Sequence, residues 1–333
     1  MSEAHAATGG PARRVPGAGA LASELRGGVV AIGNFDGVHR GHQAVVETLS
    51  ALCGAEATPR LVLTFEPHPR TAFRPQHPVP RLTPAPLKAR LFGHLGVDAV
   101  VEQRFDMEYA SHPAEAFIAE TLHRDLGARH LVVGYDFRFG ARRQGDVDFL
   151  RARGAELGIG VTSIAPFVDE GGNTVSSSRI REDLMNGDVA AAAGLLGYRW
   201  TIEGTVSHGA KLGRTLGYPT ANMVLPDDGL LAHGIYAVRL RRADGTLHDG
   251  VASYGRRPTF DNGAALFETF LFDFSGDLYG EAVSVSLFGF IRGEERFDTA
   301  EALVARMDVD AQEARALLAG ARPLSALDAA VAF

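Results

Sequence analysis

The chain has 333 residues, of which 46% are apolar and 22% charged, and its net charge is −7. This length predicts two domains, and the composition is typical of a globular protein that can build full hydrophobic cores. The negative charge and the lack of lysine-arginine runs argue against a nucleic-acid partner, and no apolar stretch reaches membrane-spanning length. The single cysteine, Cys53, cannot form an internal disulfide, which fits a reducing compartment.

The first twenty residues are small, polar and rich in Gly and Pro. They lack the apolar core of a signal peptide, so we expect residues 1–20 to form a disordered tail rather than a targeting segment. A cytoplasmic location is therefore expected.

A strand, a turn and a helix are predicted next. The apolar run at residues 28–32 predicts a buried strand, and residues 33–37 form a glycine-bearing turn. A helix should follow, with Val45, Val46 and Leu49 on its apolar face. Such a junction is an anion site, because free backbone N–H groups and the positive end of the helix dipole point at the same place.

His39 and His42 lie three residues apart in the first turn of this helix, so both fall on one face. Two imidazoles there can donate hydrogen bonds to the charge on a transferring phosphoryl group. Gly41 between them lets a ligand approach the backbone closely. The pair could instead bind a metal, although helical metal ligands more often use a spacing of four.

The rest of the first half alternates between strands and helices, which predicts a parallel sheet covered on both faces. Ligands bind such sheets at the carboxyl ends of the strands. This arrangement gathers His39, His42, Phe73 and Asp136 on one edge, with Phe73 in a long loop that extends to about residue 85. The predicted strands cover residues 61–65, 97–101, 131–133 and 160–164, and the helices 86–95, 111–126 and 144–157.

Three hydroxyl residues, Ser176, Ser177 and Ser178, precede another predicted helix. Hydroxyls at such a position either cap the helix or bind phosphate, because the same free N–H groups lie beside them. Arg179 and Arg181 follow two residues apart and need not share a helix face. One of them could therefore cover a phosphate while the other stays solvated.

The second half reads as an antiparallel barrel or sandwich, because alternating strands are separated by turn signals with few helices. Its strands are predicted at residues 200–206, 235–240, 248–253, 266–272 and 282–287. We place the domain boundary after residue 186, giving domains at 21–186 and 187–320 and a C-terminal tail at 321–333. Two short closing helices are predicted from capping-box pairs, Asp298 with Glu301 and Asp310 with Glu313.

Three features of this half carry chemistry. The loop with Gly209, Lys211 and Gly213 is a weak phosphate-binding signal by itself. Thr220 and Asn222 lie two residues apart in an extended segment, so their oxygens can reach one hard cation. Glu268 lies between two phenylalanines, and it either points to solvent or belongs to a site.

These motifs resemble one known family. The stretch FDGVHRGH resembles the HxGH motif of nucleotidyltransferases, and in this fuller form it is similar to the adenylyltransferase half of bacterial bifunctional riboflavin kinase/FAD synthetases. The stretch SSSRIR is similar to the family's SSTxIR motif, with Ser178 in place of threonine. GRTLGYPTAN is similar to the flavokinase motif, with Tyr218 where Phe is usual. Residues 250–260 and 268–280 also match, in order.

The resemblance implies a nucleotidyltransferase-like parallel-sheet domain, followed by a flavokinase barrel with terminal helices. It implies phosphorylation of riboflavin to FMN and adenylylation of FMN to FAD, with ATP and Mg²⁺. The partners would be small-molecule substrates, with no nucleic acid and no membrane, and the chain would be a monomer or weak homo-oligomer. The implied catalytic residues are His39, His42, Arg181 and Glu268, and the metal ligands Thr220 and Asn222. The implied nucleotide ligands are Gly33, Phe35, Asp36, Gly37, Gly41, Ser176, Ser177, Ser178, Gly209, Lys211 and Gly213, and the flavin contacts Phe73 and Asp136.

Two alternatives remain open at this point. The FDGVHRGH stretch alone also permits a cytidylyltransferase, or an adenylyltransferase with a different acceptor. A flavin-binding or flavin-storage protein with inactive sites is the non-enzymatic alternative. The flavokinase motifs argue against the first, and the matched His39, His42, Thr220, Asn222 and Glu268 argue against the second.

Overall fold

The structure, a computed structural model, describes residues 10–54, 57–208, 217–225, 229–256 and 265–333. Contacts between Cα atoms divide the chain into two compact units, Met1–Ser176 and Ser177–Phe333. We call them the N-terminal and C-terminal units and describe each by itself. The domain boundary at residue 186 stays a prediction.

The N-terminal unit is built on a six-stranded parallel sheet with the order β1-β4-β3-β2-β5-β6. Its strands are β1 (Arg13–Val15), β2 (Val29–Ile32), β3 (Arg60–Glu66), β4 (Ala99–Arg104), β5 (His130–Gly134) and β6 (Gly160–Ile164). Its helices are α1 (Arg40–Cys53), α2 (Pro69–Phe73), α3 (Ala85–His94), α4 (Met107–Ala110), α5 (Ala114–Ala116), which continues as a π-helix (Phe117–Asp125), and α6 (Val147–Glu156). This confirms the predicted parallel-sheet fold.

The strand order explains where a ligand can bind. All four residues of β2 are buried, as expected for a parallel strand with both faces covered. β3 and β4 lie on one side of β2, and β5 and β6 lie on the other. The strand order therefore reverses between β2 and β5, and in such sheets ligands bind outside the carboxyl ends of the strands at this reversal. Residues 33–39 leave the sheet there.

The predicted disordered tail is wrong for residues 10–20. Arg13–Val15 forms edge strand β1, which pairs with β4, and Ala18 is buried. Backbone hydrogen bonds hold this segment, from Ala12 N–H to the Ala89 carbonyl and from Arg13 N–H to the Asp98 carbonyl, both 3.0 Å long. Composition does not reveal such bonds, because they depend on an edge supplied by a later strand. Residues 1–9 lie outside the described residues.

The C-terminal unit is a near-closed antiparallel barrel with the strand order β7-β12-β9-β10-β11-β8, which confirms the predicted barrel. The bridge between Ser207 and Asn222 joins the end strands, with Ser207 N–H donating to the Asn222 carbonyl at 2.8 Å. Its strands are β7 (Thr201–Thr205), β8 (Thr220–Val224), β9 (Gly234–Arg241), β10 (Leu247–Arg256), β11 (Ala265–Leu271) and β12 (Ala282–Arg292). Its helices are α7 (Ser177–Met185), α8 (Val189–Leu196), α9 (Ala300–Gly320) and α10 (Ala326–Ala332).

The closing helices differ from the prediction. One long helix, α9, replaces the two short ones, and its N-cap is Thr299, whose hydroxyl accepts from the Ala302 N–H, rather than Asp298. Asp310 is buried in the middle of α9 and accepts hydrogen bonds from the Arg292 guanidinium. Capping-box spacing does not distinguish a cap from a buried ion pair, because it contains no information about a distant arginine.

The C-terminal residues 321–333, predicted to be a tail, contain the packed helix α10 (Ala326–Ala332). Its residues Leu327, Asp328, Val331 and Ala332 are buried. Among the described residues, none of the helices is both long enough and apolar enough to span a membrane.

Candidate active sites in the two units

The two histidines of the first motif form one stacked unit at the start of α1. His39 is the N-cap residue, and its Nδ1 accepts a hydrogen bond of 3.3 Å from the His42 backbone N–H. The two rings stack with centroids 3.6 Å apart and an interplanar angle of 16°. Since Nδ1 of His39 is an acceptor, a neutral ring carries its proton on Nε2. A Cβ on Gly41 would lie 3.2 Å from the His39 ring, so glycine here makes room for the stack.

Burial keeps both rings neutral in the unliganded protein. Burial lowers the pKa of His39 to about 4. Burial also lowers the pKa of His42 well below its usual value, and the charges of His39 and Lys88 lower it further. The Nδ1 atom of His42 is buried and has no hydrogen-bond partner among the described residues. Because unsatisfied buried polar atoms are costly, this nitrogen is well suited to bond a ligand.

The turn before the histidines is held by the protein itself. Phe35 and Val38 both adopt left-handed backbone conformations, with φ of 49° and 40°. The Phe35 ring is buried and meets the His42 ring edge-on, with centroids 5.1 Å apart. Gly37 N–H donates to the Thr83 hydroxyl at 2.9 Å, and Asp36 accepts from the Thr83 N–H at 3.1 Å. The predicted nucleotide contacts of these residues stay predictions.

Three of the residues predicted to contact a ligand line the same cavity. Gly33, Phe73 and Asp136 line a cavity of about 590 Å³ at the carboxyl edge of the sheet, a size typical of small-molecule sites. Sequence reasoning missed most of its walls, which are aromatic rings and arginines. These are Phe65, Phe105, Tyr109, Phe117, Phe137, Phe139, Arg70, Arg138, Arg142 and Arg143. Aromatic walls beside arginines suit a flat ring system that carries an anionic group.

The serine-arginine motif lies where the chain passes between the two units. Ser176 is the last residue of the N-terminal unit, and Ser177 begins α7. Within α7, Arg181 donates to the Ser177 carbonyl at 3.2 Å. The predicted phosphate contacts of Ser176, Ser177, Ser178 and Arg181 stay predictions.

In the C-terminal unit, the barrel brings together the three residues predicted for the second site. Asn222 of β8 pairs with Glu268 of β11 across the sheet, so their side chains share a face. The Thr220 hydroxyl donates to Glu268 Oε1 at 3.5 Å. Asn222 Nδ2 donates to the Thr220 carbonyl at 3.3 Å, and Asn222 Oδ1 is buried with no hydrogen-bond partner among the described residues. This adjacency could not be derived from the sequence, because it depends on register between strands.

Thr220 and Asn222 also line a cavity of about 380 Å³. Its other polar and aromatic walls are Thr269, Phe274, Ser275, Asp277 and Tyr279. The hydroxyl of Thr220 and the unpartnered amide oxygen of Asn222 are the hard oxygen donors that Mg²⁺ prefers, so these residues fit a magnesium ion. The predicted phosphate-loop residues Gly209, Lys211 and Gly213 lie outside the described residues.

Comparisons with known proteins match both halves of the chain. The family model described as FAD synthetase matches residues 21–179, and that described as riboflavin kinase matches residues 196–318. A bifunctional riboflavin kinase/FMN adenylyltransferase of Escherichia coli strain K12 is 40% identical over 290 residues, or 86% of this chain and 92% of the relative. A relative of the same name from Pseudomonas fluorescens is 42% identical over 300 residues, or 90% of this chain and 96% of the relative.

A solved structure named as a macrolide-efflux protein from Streptococcus pneumoniae is also similar. It has a TM-score of 0.80 and 32% sequence identity, and the match covers 91% of this chain and 98% of that chain. The two family models and the named enzymes outweigh that name in deciding the family, because they match both halves of the chain in order.

The parallel sheet with its histidine turn and the antiparallel barrel with its Thr-Asn-Glu cluster define a two-domain transferase. The chain belongs to the family of bifunctional riboflavin kinase/FMN adenylyltransferases. Neither a nucleotidyltransferase with a different acceptor nor an inactive flavin-storage protein is favoured, since models for both enzymatic domains match.

Proposed function

We propose that the two activities of this family are divided between the two sites described above. The chain phosphorylates riboflavin to FMN with ATP, and it adenylylates FMN to FAD with ATP, releasing pyrophosphate. We assign the first reaction to the C-terminal unit and the second to the N-terminal unit. The observation that carries this division is that the Thr220-Asn222-Glu268 cluster and the His39-His42 stack lie in separate units.

In the kinase reaction, Glu268 accepts the proton of the ribityl 5′-hydroxyl of riboflavin. The freed oxygen forms a bond to the γ-phosphorus of ATP, and the bond from that phosphorus to the β,γ-bridging oxygen breaks, which releases ADP. Glu268 is a suitable base because its carboxylate lies beside the Thr220 hydroxyl. Positioning of the two substrates supplies most of the remaining acceleration.

We further propose that Thr220 and Asn222 hold Mg²⁺ for the kinase reaction. The fit of the unpartnered Asn222 Oδ1 and the Thr220 hydroxyl to a hard cation supports this assignment. Bound Mg²⁺ would neutralise negative charge on the ATP phosphates. Gly209, Lys211 and Gly213 are proposed as further ATP phosphate contacts on the strength of the motif.

In the adenylyl transfer, a phosphate oxygen of FMN forms a bond to the α-phosphorus of ATP, and pyrophosphate leaves. The FMN phosphate is already ionised, so no general base is needed. The neutral rings of His39 and His42 donate N–H hydrogen bonds to the oxygens that gain charge. On the strength of the motif alone, Arg181 and the hydroxyls of Ser176–Ser178 are proposed as pyrophosphate ligands. Phe73 and Asp136, which line the cavity of the N-terminal unit, are proposed to contact the flavin.

Product analysis over time tests this assignment. The purified full chain is incubated with riboflavin, ATP and increasing Mg²⁺, and the flavins are separated by chromatography. FMN appearing before FAD is the expected result. FMN alone would show that the histidine site has another acceptor or is inactive, and formation of neither product would refute the proposal. We also propose a cytoplasmic monomer or weak homo-oligomer, and light scattering over a range of concentrations tests the oligomeric state.

A further inference from the structure

Lysine is rare in this chain, and one of its lysines is buried beside the histidine site. Of the 33 Lys and Arg residues, only Lys88 and Lys211 are lysines. A basic side chain in this protein is therefore almost always an arginine. Lys211 belongs to the loop already proposed to contact ATP, whereas Lys88 has no role in the reactions described above. A lysine at this position suggests that an ammonium group is needed where a guanidinium would not serve.

The surroundings of Lys88 match the geometry of an ammonium group. The side chain is 1% exposed. Its Nζ lies 3.1 Å from the Asn34 carbonyl, 3.2 Å from the Thr64 hydroxyl and 3.0 Å from Glu66 Oε1. The three N–H donors thus have three acceptors around one nitrogen, which offsets the desolvation of the buried charge. A planar guanidinium presents its donors in a fork and cannot replace this arrangement.

These three bonds connect α3 to the turn that precedes the histidines. The Asn34 carbonyl belongs to that turn, and Thr64 and Glu66 lie at the end of β3. Glu66 is held in turn by a bidentate ion pair with Arg81, with distances of 2.6 and 2.7 Å. The turn carries the left-handed Phe35 on which the His42 ring rests. Strained backbone persists only where its surroundings fix it, and the Lys88 bond to Asn34 is one such restraint.

We propose that Lys88 is a positioning residue for adenylyl transfer, which fixes the turn before the stacked histidines through its bond to the Asn34 carbonyl. This inference rests on the proposed assignment of FAD synthesis to the N-terminal unit. Lys88 itself does not touch the reacting phosphates; it acts through the Asn34 carbonyl and through its charge.

The charge of Lys88 gives the proposal a signature that packing alone would not give. The charged and titratable groups around His42 are the stacked His39 ring, Lys88 from α3, and behind Lys88 the groups Glu66, Arg81 and Asp36. Burial is the larger cause of the low pKa of His42, and the charge of Lys88 lowers that pKa further. Removing this charge should raise the pKa of His42. Neutralising Glu66, whose negative charge partly offsets the positive charge of Lys88, should lower the pKa of His42.

The experiment compares Lys88→Met, Lys88→Arg and Glu66→Gln in the full chain. Far-ultraviolet circular dichroism of each variant checks that the N-terminal unit is folded, and FMN formation by the C-terminal unit controls for the amount of active polypeptide. We expect FAD synthesis to fall about 10²-fold in both lysine variants, as when a catalytic group is misplaced by about 1 Å, while FMN synthesis is unchanged. The acidic limb of the pH profile of FAD synthesis should move to higher pH in Lys88→Met and to lower pH in Glu66→Gln.

Arg124→Met is the matched control, because it also removes one positive charge from the N-terminal unit. Arg124 is 63% exposed and pairs with Asp125 on the surface, so the variant should keep both activities and the wild-type profile. Full FAD synthesis in Lys88→Arg, or an unmoved acidic limb in both other variants, would overturn the proposal. If Lys88→Met does not fold, the shift of the acidic limb in Glu66→Gln tests the proposal by itself. Absence of FAD synthesis in the wild-type chain would refute the proposed function instead.

Discussion

The hydroxyl of Tyr218 donates a hydrogen bond to the Asp308 carboxylate, which ties α9 to the segment that carries Thr220 and Asn222. Tyr218 is buried against the Phe270 ring, with centroids 4.7 Å apart. Burial and Asp308 together raise the pKa of Tyr218 to about 12, so the hydroxyl stays protonated and donates. The flavokinase motif usually has Phe at this position, so this bond depends on the residue in which the chain departs from the motif.

Tyr218→Phe should therefore lower the stability of the C-terminal unit without disturbing its fold. We expect a loss of about 1 kcal/mol, because the phenyl ring keeps the packing and only one hydrogen bond is removed. Urea unfolding followed by the fluorescence of Trp200, the single tryptophan, measures this unit. Asp308→Ala should have a similar effect, and the double variant should be no worse than either. Additive losses would show that the bond contributes nothing.

Glu268→Ala should reduce FMN formation by about 10²–10⁴-fold, the usual contribution of a general base. FAD formation from supplied FMN should be unchanged, because it is assigned to the other unit. Steady-state rates of FMN and FAD formation, measured on one preparation, test this expectation. Glu203→Ala removes an exposed carboxylate from the same barrel and should keep wild-type rates. Full kinase activity in Glu268→Ala would mean that another group takes the proton.

His42→Ala should lower the rate of FAD synthesis by about 10²–10³-fold, as when one donor to a developing oxyanion is removed. FMN synthesis should continue at the wild-type rate. Chromatography of flavins formed from riboflavin should then show FMN accumulating without FAD. His123→Ala, at an exposed position in the same unit, should behave as wild type. Equal loss of both activities in His42→Ala would argue against separate sites.

The N-terminal unit should lose stability in mild acid. The pKa of His39 is about 4 in the folded protein and about 6.5 in an unfolded chain. As pH falls below about 6.5, the unfolded chain takes up the proton first, so the free energy of unfolding decreases until about pH 4. His39 alone accounts for a loss of about 3 kcal/mol over this range, and His42 acts in the same direction.

Urea unfolding at pH 7 and at pH 4.5 checks this expectation. Far-ultraviolet circular dichroism follows both units, whereas Trp200 fluorescence follows the C-terminal unit only. The dichroism midpoint should fall more steeply with pH than the fluorescence midpoint. His39→Gln should reduce the difference, and His123→Gln on the exposed surface should not. A pH dependence unaffected by His39→Gln would show that its ring is not kept neutral by burial.

Asp328→Ala should destabilise the C-terminal unit by about 3–5 kcal/mol, because it leaves a buried arginine without its partner. Asp328 forms an ion pair with Arg199 and accepts hydrogen bonds from the backbone N–H groups of Arg199 at 2.8 Å and Leu324 at 2.9 Å. Thermal unfolding followed by Trp200 fluorescence reports the change. Asp298→Ala is the control, because Thr299 rather than Asp298 caps α9. A small effect in Asp328→Ala would mean that the packing of α10 contributes little to the stability of the C-terminal unit.

The sequence alone was enough for the fold class and for most strands and helices of the parallel-sheet unit. Periodicity is a local property, so the strand, turn and helix at residues 28–49 were found as predicted. The motifs are also local, and their order along the chain is enough to indicate the family.

Only the tertiary structure decided which groups meet. The buried ion pair between Arg199 and Asp328 spans 129 residues, and the bond from Lys88 to Asn34 spans 54. Edge strand β1 likewise needs β4, which comes more than 80 residues later in the chain. Buried charges and edge strands are stable only with partners that the fold supplies. Local sequence patterns therefore predicted a tail where α10 packs and a helix cap where Asp310 is buried.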